Sequence, residues 1–241
     1  DLHSFPTRRS SDLAIVGIGT AIGNGHYWGY YPGRWWARAI IRVCLLPVTV
    51  EGRENLEEHQ SYVFVSNHQG CFDIFLIYGF LGRNFKWMMK HQLGKIPFVG
   101  FACRKSHQIF VDKRGPKKIK ATIDAARKIL SEKGMSVVVF PEGSRSFTGH
   151  MGEFKRGPFW LADELQLPVV PLTINGSFDI VPRTRDWHFA NWHPLRLTIH
   201  KPIFPSGQGP ENLQATLQQS YDTVMSALDE KYQGFVENPD Q

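Results

Sequence analysis

Cysteine is scarce in this chain. There are three in 241 residues, Cys44, Cys71 and Cys103, scattered and odd in number. No C-x-x-C spacing points to zinc and no disulfide framework is implied, so a reducing, cytoplasmic setting is the default expectation. Metal-ligand patterns are missing too. The ten histidines form no H-E-x-x-H and no carboxylate–histidine cluster at ligand spacing, so no metal is expected. His188 and His193, in an aromatic loop spanning 182–194, read as surface groups. Internal repeats and low-complexity linkers are absent. So are the G-x4-G-K-[ST] phosphate loop and the G-x-S-x-G nucleophile elbow, which removes the P-loop and serine-hydrolase readings.

Acidic residues are lacking in one stretch. From Arg83 to Lys128 the sequence holds 13 Lys/Arg against two acids, Asp112 and Asp124, while the rest of the chain is net acidic. A basic field of this kind suits a phosphate-bearing substrate, an anionic membrane surface or nucleic acid, and a solvated helix face is the plainer alternative. No recognition-helix or stacking signature supports nucleic acid, so no nucleic-acid partner is expected.

Long apolar runs are lacking as well. Leu13 to Gly23 is apolar for only eleven residues, too short to span a bilayer by itself. Before it, residues 1–12 show no usable periodicity and read as a non-native or disordered tail. Residues 13–50 form an N-terminal membrane-associating helical element in this reading, and 51–241 the catalytic domain. Within "PGRWWARAIIRVCLLPVTV", Arg34, Arg38 and Arg42 recur every four residues and stack on one helical face. Trp35, Trp36, Ile40, Ile41, Val43, Leu45 and Leu46 cover most of the remainder, a composition suited to an interfacial helix on anionic lipid. A helix packed on the core with an exposed basic stripe is the alternative.

Beyond Gly52 the pattern alternates between strand and helix, which predicts an α/β fold with a central mixed sheet flanked by helices. Strands are expected at "SYVFVS", "FKWMM", "QIFVD", "SVVVF", "PVVPLTI" and "LRLTIH". Helices are expected at "CFDIFLIYGFL", "PKKIKATIDAARKIL", "GPFWLADEL" and, late in the chain, over 211–232.

Candidate chemistry sits at strand ends. In "VSNHQGCFD" a β-rich run delivers His68 to its end, and Asp73 follows just over a helical turn later. A carboxylate there can fix the imidazole tautomer and stabilise the imidazolium of a general base. A polar pair closing a strand is the other reading. In "SVVVFPEGSRSFTG", Pro141 ends the ladder and Gly143 permits close backbone approach to a ligand. Ser144 and Ser146 offer hydroxyls and Arg145 a planar fork matched to phosphate. Glu142 is suited to ordering these donors or accepting a substrate hydroxyl, and a plain turn remains possible. "QIFVDKR" ends in Asp112, Lys113 and Arg114, and "PVVPLTI" carries Pro171 within an apolar run.

The order N-H-x4-D, F-V-D-K-R, F-P-E-G-S-R-S, V-P-L-T-I resembles the PlsC-like glycerolipid acyltransferase family, which includes the 1-acylglycerol-3-phosphate acyltransferases. That resemblance implies the family's α/β fold. It also implies transfer of a fatty acyl group from acyl-CoA or acyl carrier protein to the free hydroxyl of 1-acylglycerol-3-phosphate, forming phosphatidic acid, with no further cofactor. It implies His68 as base and Asp73 as its orienter. Glu142, Gly143, Ser144 and Arg145 would form the acceptor side, with Lys113 or Arg114 as a second cation. The family's F-[IV]-D-R has Lys113 in its arginine position here, which leaves room for another lysophospholipid acceptor. A thioesterase and a non-enzymatic anionic-lipid binder remain as other classes. The expected place is a membrane surface, on the cytoplasmic face.

Overall fold

The computed structural model describes residues 29–96, 99–112, 114–130, 134–183 and 191–236. The 1–12 segment, the apolar run to Gly23, Lys113 and His188 lie outside the described residues. Chain order is α1 (Tyr31–Val43), β1 (Val48–Glu51), β2 (Val63–Ser66), α2 (Phe72–Phe80), β3 (Phe85–Lys90), α3 (Val99–Lys105) and β4 (Ile109–Val111). It continues with α4 (Pro116–Leu130), β5 (Ser136–Val139), α5 (Gly157–Leu165), β6 (Val169–Asn175), α6 (Ser177–Ile180), β7 (Leu195–Ile199) and α7 (Pro210–Ser226).

The strands form one seven-stranded sheet in the order β1-β7-β6-β2-β5-β3-β4. All neighbours are parallel except β6 and β7, so the sheet is mixed as expected. Central strands β2, β5 and β6 are buried along their whole length. That accounts for their unbroken Val/Ile/Leu runs, since parallel strands are covered on both faces. Phe64 packs with Phe72, Leu76, Ile77 and Ile41 beneath α1 and α2. Val63 and Val65 point the other way, to Phe159, Leu213, Leu217 and Val224 of α5 and α7.

Pro171 lies inside a central strand, a position that normally costs a ladder bond. Its carbonyl accepts from His200 N at 3.0 Å, on the β7 side, where its missing N–H would also point. Pro171 stands opposite His200 just outside the regular β6–β7 pairing that starts at Leu172 and Ile199, so the missing donor costs one bond at the end of that ladder.

Three features add to the sequence expectation. β1 straddles the 50/51 boundary and pairs with β7, which makes the end of the N-terminal element the edge of the sheet. Part of the α1 arginine stripe meets the protein: Ala37 and Ile41 are buried and Arg38 Nε donates to Gly79 O at 2.7 Å, Arg34 and Arg38 are half-buried, and Arg42 stays exposed. Arg38 and Arg53, whose guanidinium donates to Phe80 O at 2.5 Å, thus satisfy carbonyls at the end of α2. Trp35, Trp36 and Val43 are the large hydrophobic side chains that α1 exposes. Finally, the late helix stops at Ser226, because the Asn175 amide donates to Ala227 O and accepts from Asp229 N, both at 2.9 Å. Among the described residues, no helix is long and apolar enough to cross a membrane.

Candidate active site

The carboxyl ends of parallel strands β2 and β5 lie side by side, where open α/β sheets place their ligand crevices. His68 stands two residues beyond β2, and Phe140–Glu142 directly beyond β5. His68 Nδ1 is 2.7 Å from Asp73 Oδ2. The same oxygen accepts the backbone N–H of Gln69 at 2.7 Å and of Gly70 at 2.9 Å. Asp73 is fully buried in the first turn of α2, so its carboxylate has one orientation, set by three donors. With Nδ1 facing a carboxylate, the tautomer assigned by this contact carries its proton on Nδ1 and leaves Nε2 as an acceptor. The imidazole stacks on Phe140, with centroids 3.8 Å apart and planes at 10°, and Phe140 stacks in turn on Trp87. The histidine side chain keeps 13% of its surface open.

The two islands are joined through Glu142. Its Oε1 accepts His68 N at 2.7 Å and its Oε2 accepts Gly152 N at 2.9 Å. Ser146 N returns a bond to His68 O at 2.8 Å. Glu142 is 3% exposed, and burial pushes its carboxyl up to about 8 against the pull of the two N–H donors and of the nearby Lys155 charge. Gly143 adopts φ +78°, the left-handed conformation that a side chain disfavours. Ser146 is buried and its hydroxyl accepts from Gly149 N and Thr148 N, so it shapes the loop, whereas Ser144 and Arg145 are half-buried. Arg183 stacks on Phe147 at 4.0 Å and donates to Arg145 O at 2.8 Å.

Asp112 and Arg114 of the third island are not brought to this centre. In the sheet order β4 is three strands from β2, about 14 Å at ordinary strand spacing. There Arg114 sets its fork on Asp112, Nε to Oδ1 at 2.9 Å and a terminal nitrogen to Oδ2 at 2.8 Å. Those bonds hold the Asp112 carboxyl well below the usual carboxylate range.

Sequence reasoning left three site neighbours without a role. The Asn67 amide donates to Ile174 O at 2.9 Å and accepts Ile174 N at 2.8 Å, extending the β2–β6 pairing past the last strand residue. Gln69 donates to Gly149 O at 2.8 Å and ties the histidine loop to the Ser146 loop. Lys155 lies over Gly143. Asn67 and Gln69 flank His68 and were open to notice; nothing in local spacing marks Lys155. Among the described residues no group of three or more His, Cys, Asp and Glu could hold a metal ion.

A family model described as Acyltransferase matches residues 47–175, more than half of the chain, including His68, Asp73 and the Glu142–Ser146 turn. The chloroplastic 1-acyl-sn-glycerol-3-phosphate acyltransferase of Arabidopsis thaliana is 36% identical over 162 residues, 66% of this chain and 44% of that one. The 1-acyl-sn-glycerol-3-phosphate acyltransferase of Helicobacter pylori is 30% identical over 195 residues, 77% of this chain and 80% of that one. The chain thus spans less than half the length of its chloroplastic relatives. The crystal structure of the 1-acyl-sn-glycerophosphate acyltransferase PlsC from Thermotoga maritima is similar in fold, with a TM-score of 0.64 at 24% identity, covering 92% of this chain and 81% of that one.

Proposed function

The chain belongs to the PlsC-like acyltransferase family, and from that membership we propose that it transfers a fatty acyl group from a thioester, acyl-CoA or acyl carrier protein, to the free hydroxyl of 1-acylglycerol-3-phosphate. The names of the relatives supply the acceptor class. The observation that carries the chemistry is the 2.7 Å contact between His68 Nδ1 and a buried Asp73 oxygen already fixed by two backbone donors.

In this reading His68 Nε2 takes the proton of the glycerol hydroxyl as its oxygen attacks the thioester carbonyl. Asp73 stabilises the imidazolium that forms. The carbon–sulfur bond breaks, the thiolate leaves and takes the proton back from His68, and ester and free thiol are the products. No covalent acyl-enzyme is needed. Glu142 orders the turn rather than touching substrate, since both of its oxygens are occupied by backbone N–H groups. Gly143, Ser144 and Arg145 line the acceptor side, with Arg145 toward its phosphate. The exposed Trp35 and Trp36 of α1 support work at a membrane surface, on the cytoplasmic face, where anionic lipid and a lipid acceptor are both at hand.

The test is an assay of wild type and His68→Ala with labelled acyl-CoA and a panel of lysolipids. Lysophosphatidate should be the preferred acceptor, and the variant should lose on the order of 10²–10⁴ in turnover while keeping its fold by circular dichroism. Transfer to none of the acceptors, equal transfer by the variant, or thioester cleavage at equal rates with and without lysolipid would each reject this reading.

A further inference from the structure

The turn that carries Gly143 and Arg145 has a second cation over it. Lys155 N–H donates to Pro141 O at 3.0 Å, which fastens this residue beside the turn although it lies well beyond it in sequence. Its side chain then crosses Gly143: a Cβ placed on that glycine would stand 2.9 Å from Lys155 Nζ and 3.5 Å from its Cδ. The ammonium therefore occupies the space that a side chain at 143 would fill. Glu142 does not take it as an ion-pair partner, because both carboxyl oxygens are turned to the N–H groups of His68 and Gly152. Among the described residues, neither Lys155 Nζ nor the Arg145 guanidinium has a hydrogen-bonding or ion-pair partner. The Arg145 backbone is held in place by the Arg183 bond to its carbonyl. Lys155 Nζ thus lies over Gly143, and Arg145 follows that glycine by two residues in the same turn, whose Ser146 hydroxyl is already taken up by Thr148 N and Gly149 N.

We infer that Lys155 joins Arg145 in binding the phosphomonoester of the lysophospholipid acceptor, Lys155 as a point charge above Gly143 and Arg145 as a planar fork. This rests on the acyl-transfer reading, and it names the group that makes the acceptor site select for phosphate. A phosphomonoester carries close to two negative charges at neutral pH, which a single arginine leaves half-matched. Arg114 is not a free second partner, being committed to Asp112. Gly143 is then required twice over, for its positive φ and because a methyl group there would displace the ammonium.

The test is equilibrium binding to the full chain by titration calorimetry for wild type, Lys155→Met and Lys155→Arg. The ligands are a short-chain 1-acylglycerol 3-phosphate below its micelle concentration, the corresponding phosphate-free 1-acylglycerol, and free CoA. K155M should weaken the phosphate-bearing lysolipid at least about tenfold, and K155R should stay within about threefold of wild type. In turnover, K155M should raise KM by a similar factor and leave kcat within about threefold, the pattern of lost ground-state binding. Unchanged lysophosphatidate affinity in K155M overturns the inference, as does the absence of lysophosphatidate binding by wild type. A loss confined to CoA overturns it by moving the cation to the thioester donor. An equal loss for the phosphate-free lipid, with a lowered thermal midpoint, overturns it in favour of a packing role. Wild type that binds lysophosphatidate but transfers no acyl group rejects the acyl-transfer reading alone, and the binding comparison still decides Lys155.

Discussion

The strand ends after β2 and after β4 carry comparable sequences, N-H-x4-D and F-V-D-K-R, and the fold uses them differently. After β2, each polar group answers to a distant one. Asn67 bonds Ile174, His68 N bonds Glu142, Gln69 bonds Gly149, and only Asp73 is local. After β4, the cation and the carboxylate close on each other two residues apart, at the far edge of the sheet. The first arrangement holds an imidazole on a stacked phenyl ring with one nitrogen left uncommitted. The second neutralises itself. A charged motif at a strand end is thus a resource only where other elements have already taken up its remaining hydrogen-bonding capacity.

The contrast breaks first at Asp73. Asp73→Asn keeps the volume but puts an amide opposite His68 Nδ1, which favours the wrong tautomer and removes the charge that stabilises the imidazolium. A fall in kcat of about 10²–10⁴ is expected, comparable to His68→Ala, with KM for lysophosphatidate little changed. Steady-state kinetics at saturating thioester give the answer. A loss of less than tenfold would mean that the His68 ring is held by its stack on Phe140 alone.

Glu142 comes next in size. Its carboxyl ordinarily titrates near 4.5 and is pushed up to about 8 in the fold. Below 4.5 it is neutral in both folded and unfolded chains. Between 4.5 and 8 the unfolded chain ionises while the folded one holds the proton, so stability is lost as pH rises through that window. The slope from this group is at most about 1.4 kcal/mol per pH unit. Urea unfolding of wild type and Glu142→Gln from pH 4 to 9 isolates it: wild-type stability minus that of E142Q should decline up to about pH 8 and then level. A flat difference would show that the two N–H donors and Lys155 outweigh burial and keep Glu142 ionised throughout.

How much of this could be read in advance follows from the range of the interactions involved. Strands β2, β5 and β6 were legible because buried central strands need continuous apolar runs, β7 because its residues alternate, and α4 because Ile123, Ala126 and Leu130 repeat at helical spacing. α3 has seven residues, too few to show a period, and β1 is only four residues, Val48–Glu51, beginning five residues after α1 ends. The His68–Asp73 contact was legible because five residues at a strand-to-helix junction fix it locally. Asn67 to Ile174 and His68 to Glu142 span 107 and 74 residues, and no local spacing rule reaches that far. The same holds for Asn175, which ends α7 from across the sheet, and for Lys155 above Gly143.

The smallest effect is expected at Arg114, and it is the sharpest check on the contrast. A guanidinium already bidentate on a carboxylate presents nearly no net charge to a phosphate. Moving it to a new anion would also strand Asp112, which is 8% exposed. The Arg114 side chain is itself 67% exposed, so water and salt screen what field remains. Arg114→Met should therefore change lysophosphatidate affinity by less than about twofold and leave the thermal midpoint unmoved, whereas K155M costs at least about tenfold in affinity. Titration calorimetry of the two variants side by side decides between them. If R114M loses as much as K155M, the fork leaves Asp112 for the substrate, and the β4 strand end belongs to the acceptor site after all.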